Sequence, residues 1–184
     1  MIGNNQTNKL GFTLVEILVA VAIFAAVVLM SSRIFQSVLN NQHTNRIDQD
    51  IQENIKYFLE VFSREASSAV RNNNPGTECL VGSTHIFATN ASSTELYFRN
   101  SAGQCVEYYS ANDNGVTRIG ISRDGLAGYI TSPKVLIKSL NFVLDESSVT
   151  IQPIVTVNIQ VQSEDDPSVA AYNIQTTISP RDYE

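Results

Sequence analysis

Residues 12–30 read FTLVEILVAVAIFAAVVLM, an almost wholly apolar run without proline or glycine. As a helix rising 1.5 Å per residue, it is long enough to cross a hydrocarbon layer of about 30 Å. Within it stands one ionisable side chain, Glu16. A lone carboxylate in hydrocarbon costs roughly 2.5–3.5 kcal/mol on insertion scales, so an acid placed there implies a partner.

A cut between Gly11 and Phe12 would supply that partner. The new N-terminus would be an ammonium group near the depth of Glu16, and a neighbouring copy of the helix would bring it alongside. Side-by-side packing then removes a penalty that each charge carries alone. Thr13-x-x-Glu16 also reads as a capping box, which accounts for a helix start but not for the apolar residues on both sides of the carboxylate. A secretory signal would have a shorter apolar core and a small-x-small cleavage site, which Leu29-Met30-Ser31-Ser32 does not provide.

Gly11, Phe12, Thr13, Leu14 and Glu16, behind a short leader carrying Lys9, resemble the N-terminal signature of type IV prepilins and pseudopilins. That resemblance implies cleavage after Gly11 by a membrane aspartyl protease (the prepilin peptidase), N-methylation of Phe12, and a role for Glu16 in assembly. It implies as partners other pilins or pseudopilins, an inner-membrane assembly platform and membrane lipid. The implied location is the bacterial inner membrane, crossed once with the head outside the cytoplasm, and then a filament at the periplasm or cell surface. The signature covers about the first 25 residues. In layout the remainder is similar to minor pilins and to the larger minor pseudopilins of type II secretion.

The chain has 184 residues and a net charge of −6. This size admits one spanning helix and one further domain, and the acidic balance argues against nucleic acid as the main partner, since phosphate binding needs clustered Lys and Arg. Cys79 and Cys105 both follow the apolar run. An even, widely spaced pair suits a disulfide in an oxidising compartment, with two buried free thiols as the alternative.

Past the apolar run, Ile47, Ile51, Ile55, Phe58, Leu59, Phe62, Ala66, Ala69 and Val70 recur at spacings of three and four, which predicts one apolar stripe on a helix. No proline or glycine intervenes before Pro75-Gly76. A single helix from Phe12 to about Asn72 would measure roughly 90 Å, with the poor helix formers of 40–45 as the place for a bend. Asn72 to Gly76 supply a stop.

From there the period changes to two, predicting strands over 85–88, 95–99, 105–110, 116–122, 135–144, 154–162 and 170–178. Asn114-Gly115 marks a hairpin. The expected fold is α+β and pilin-like, a long N-terminal helix packed by its second half on an antiparallel β-sheet head. Its expected parts are a leader (1–11), a transmembrane helix (12–33), an amphipathic continuation (34–72) and a β-rich head (73–184).

Chemistry in the head is sparse. His43 and His85 fall in different elements without ligand-spaced partners, no catalytic serine context or phosphate loop occurs, and no cofactor or metal is implied. Asp113-Asn114-Gly115 and Glu164-Asp165-Asp166 offer hard oxygens, but each reads more simply as a turn or solvated loop than as a calcium site. Tyr97, Tyr108, Tyr109 and Tyr129 suggest either ligand stacking or ordinary strand packing. The sequence therefore points to a structural filament subunit without catalytic residues. A membrane-anchored extracytoplasmic module that captures a ligand, such as DNA or a secreted substrate, is the alternative.

Overall fold

The computed structural model describes residues 11, 13–71, 79, 85–146, 152–167 and 169–181. Phe12, the leader residues 1–10 and the expected stop at 72–76 lie outside them. Among the described residues, one helix, α1 (Leu14–Ser67, 54 residues), is followed by eight strands. The chain divides into two compact units, residues 1–44 and 45–184, with the division falling inside α1.

In the first unit, α1 starts where Thr13 caps it. The Thr13 hydroxyl accepts from the Glu16 amide at 3.2 Å, and the Thr13 carbonyl accepts the first helical bond from Ile17. That is the Thr half of a capping box. The described side chains along this part are exposed, among them Leu14, Ile17, Leu18, Val21, Phe24 and Met30. Ser31 and Ser32, the first polar residues after the run, donate to the carbonyls of Val27 and Val28 at 2.9 Å, so their hydroxyls need no water. By length and composition this stretch can cross a membrane.

The second unit holds the rest of α1 and both sheets. Strands β1 (Phe87–Thr89), β2 (Leu96–Arg99), β3 (Cys105–Asp113), β4 (Val116–Arg123) and β5 (Leu126–Tyr129) pair antiparallel in that order. Strands β6 (Val135–Asp145), β7 (Ile154–Ser163) and β8 (Tyr172–Ile178) form a second antiparallel sheet, with a bulge between Ile137 and Ser139. Strand β7 alternates as expected, with Val155, Val157, Ile159 and Val161 buried.

The helical stripe is buried as a continuous row of Ile47, Ile51, Ile55, Phe58, Phe62 and Ala66. Phe58 and Phe62 stack at 5.6 Å between centroids, and the Tyr108 ring meets both edge-on. Phe142 of β6 closes the cluster at 6.1 Å from Phe62. One core therefore joins α1 to both sheets. Burying an aromatic ring contributes about 1.5–3 kcal/mol, with edge-to-face contacts adding to it.

Two expectations need correction. The helix ends at Ser67 rather than near Asn72, because Val70 leaves to bridge Arg99, and the Arg181 amide takes the Ser67 carbonyl at 2.9 Å. Strand β5 is additional. It is exposed on both faces and so shows no alternation, but Asp124-Gly125 precedes it with positive φ at both residues (49° and 82°), as at Asn114-Gly115 (53° and 96°). Both are tight hairpin turns of the primed kind.

Candidate functional site

The candidate site is the start of α1. Gly11 is exposed, and a β-carbon on it would meet nothing within 4 Å. Glu16 lies in the first turn, where a carboxylate is favoured by the positive helix end. Among the described residues none pairs with its carboxylate. Glu16, Ile17, Ala20, Val21 and Phe24 line a shallow hollow of about 410 Å³. Their spacing puts them on one helix face, and the small Ala20 leaves the space. The arrangement offers one acceptor group within an exposed apolar helix face.

Cys79 and Cys105 form a disulfide, with Cα atoms 5.3 Å apart. Cys105 opens β3 opposite Arg99, so the bridge ties the chain that follows α1 to the five-stranded sheet.

The four tyrosines separate into two groups. Tyr108 is in the core, and burial with a hydrogen bond to Glu65 pushes its hydroxyl well above the usual tyrosine range. Tyr97, Tyr109 and Tyr129 lie on the opposite, outer face of the sheet, as the alternation of β2, β3 and β4 requires.

Of the two candidate calcium loops, Asp113 is paired with Arg118, and Asp166 donates its amide to Ser163. Among the described residues, no three acidic, histidine or cysteine side chains gather as a metal site would require. His85 does have a carboxylate neighbour that spacing could not reveal. Its Nδ1 lies 3.7 Å from Glu146, which accepts the amides of Ile86 and Phe87.

Sequence reasoning also missed the polar anchor of α1. Glu65 accepts from the Tyr108 hydroxyl at 2.6 Å and from Arg123 Nε and Nη2 at 2.8 and 2.6 Å. These residues are 43 and 58 positions from Glu65, so no local pattern signals the contact.

Against known proteins, residues 6–32 match the family model described as the prokaryotic N-terminal methylation motif. No curated protein and no solved structure matches the chain. The matched residues enclose Gly11, Phe12 and Glu16, and behind them stand one long N-terminal helix and an antiparallel β-sheet head. A methylation motif at residues 6–32, joined to this α+β, pilin-like architecture, supports a type IV prepilin-like protein.

Proposed function

We propose that the chain is a minor pilin or pseudopilin, a structural subunit of a type IV pilus-like or type II secretion filament. It enters the inner membrane as a precursor with its head outside the cytoplasm. Prepilin peptidase cleaves after Gly11, and the new Phe12 amino group is methylated. An assembly platform then draws the subunit into a filament, where Glu16 pairs with the Phe12 ammonium of a neighbour.

The observation that carries this reading is Glu16 itself, exposed and unpaired among the described residues on an apolar helix face, five positions beyond Gly11 and inside the matched motif. Moving such a group into lipid is unfavourable by roughly 2.5–3.5 kcal/mol, and a neighbour's ammonium offsets that only in the assembled state. The disulfide supports an extracytoplasmic head, because such bonds persist in oxidising compartments.

The test uses the protein in its native host, with Glu16→Ala beside the unaltered chain. Intact mass should show a chain beginning at Phe12 with one added methyl group in both. The variant should be depleted from sheared filaments. A retained Met1 would overturn the processing reading as a whole. Normal incorporation of the processed variant would overturn the pairing alone.

A further inference from the structure

The outer face of the five-stranded sheet carries an arrangement that the helix start does not explain. The register sets Tyr97 of β2 opposite Glu107 of β3, and Tyr109 opposite Gly120 of β4, which in turn lies opposite Tyr129 of β5. A β-carbon on Gly120 would meet Cε2 and Cζ of Tyr109 at 2.6 Å, so the missing side chain is what lets that ring lie across β4. Glu95 enters the same patch, accepting from the Tyr97 hydroxyl at 2.5 Å.

The patch is short of positive charge. A tyrosine hydroxyl has one proton to donate, while two carboxylates, Glu95 and Glu107, flank it. No Lys, Arg or His among the described residues forms an ion pair with either. Arg99, two residues along β2 from Tyr97, donates to the Gly103 carbonyl instead. Glu107 is accordingly held above the usual carboxylate range, by burial first and by Glu95 second. Burial and the bond to Glu95 push Tyr97 the same way.

The neighbouring row shows how this face accommodates a guanidinium. Arg118 lies 4.3 Å from the centre of the Tyr129 ring, pairs with Asp113, and donates to the Thr131 carbonyl. A ring and a carboxylate together hold that cation. Tyr97 and Tyr109 with Glu95 and Glu107 repeat both elements, rings and carboxylates, without a guanidinium.

We propose that this face is a docking surface for a basic segment of a partner polypeptide. An arginine or lysine head reaches the outward oxygens of the Glu95 and Glu107 carboxylates, beside the Tyr97 hydroxyl that bonds them, with its stem across the Tyr97 and Tyr109 rings. Two carboxylates call for N–H donors, which distinguishes this occupant from a quaternary ammonium headgroup. The proposal is independent of the filament reading.

The experiment uses the full chain in detergent micelles with ring-labelled tyrosine, titrated with acetylated triarginine amide and followed by NMR. The Tyr97 and Tyr109 ring signals should shift saturably while core Tyr108 stays fixed. Glu107→Gln should weaken binding about tenfold, equivalent to about 1.4 kcal/mol. An unchanged set of other ring signals shows that this variant is folded, and Glu95→Gln serves in its place if it is not. Glu164→Gln with Asp165→Asn, which removes charge from a distant loop, should change nothing. Equal weakening by the loop variant would reduce the effect to general attraction for an acidic protein and overturn the proposal. So would the absence of saturable shifts, or equal binding of choline, which would assign the face to a lipid headgroup.

Discussion

Glu65→Ala is the perturbation that most directly tests how α1 is fastened to the sheets. The side chain of Glu65 is 17% exposed and that of Arg123 is 37% exposed, whereas Tyr108 is fully buried. Removing the carboxylate strands the Tyr108 hydroxyl in the core, at a cost of about 1–3 kcal/mol for an unsatisfied buried donor. The partly exposed pair with Arg123 adds at most about 1 kcal/mol. The expected total is about 1–4 kcal/mol. At roughly 3 °C per kcal/mol for a unit of this size, the melting temperature should fall by about 3–12 °C.

Tyr108→Phe removes the donor as well as the bond and should cost only about 1–1.5 kcal/mol. In the double variant no stranded donor remains, so its cost should be smaller than the sum of the two by about 1–2 kcal/mol. The assay is thermal and urea unfolding of the full chain in micelles, followed by tyrosine near-UV circular dichroism, since the chain has no tryptophan. Additive costs, or a Glu65→Ala variant within 0.5 kcal/mol of the parent, would refute this account of the helix anchor.

Stability should also fall in alkali. Tyr108 is raised from its ordinary value of 10.0, so the folded chain holds that proton more tightly than the unfolded chain does. The contribution is complete below pH 10 and is lost as pH rises beyond it, at up to about 1.4 kcal/mol per pH unit per group. Tyr108→Phe should lessen the slope of unfolding free energy above pH 10, and an unchanged slope would contradict it. Replacing Cys79 and Cys105 by serine together should destabilise the head by roughly 3–4 kcal/mol in the chain-entropy treatment of a loop this long, and reduction should act alike. Urea midpoints under reducing and non-reducing conditions measure this, and coincident midpoints would show that the bridge contributes nothing.

What local order controls was readable from residues alone. The apolar run, the solitary Glu16 and the Thr13 cap are features of contiguous sequence, and they place a membrane-competent helix start behind Gly11. Period-four burial on the second half of α1 and period-two burial on β7 follow from the geometry of single elements. Asn114-Gly115 announced its turn, and Asp124-Gly125 carried the same signal, which gained its meaning only once β5 was seen to pair with β4.

The tertiary structure decided what depends on distant partners. No proline or glycine stands near Ser67, where the Ser67 and Ser68 hydroxyls only donate to the Arg64 and Glu65 carbonyls. The stop comes from Arg99 and Arg181, which draw the following backbone away. Nor does any local pattern distinguish Tyr108, which faces the core and reaches Glu65, from Tyr109, whose ring crosses Gly120 on the outer side. Adjacent residues on a strand point in opposite directions, so one position along β3 separates a buried anchor from an exposed surface. Which of them is buried depends on where the packed helix lies. A helix long and apolar enough to cross a membrane declares itself by composition and length, whereas the head's anchor and its acidic tyrosine face arise only when four strands come into register.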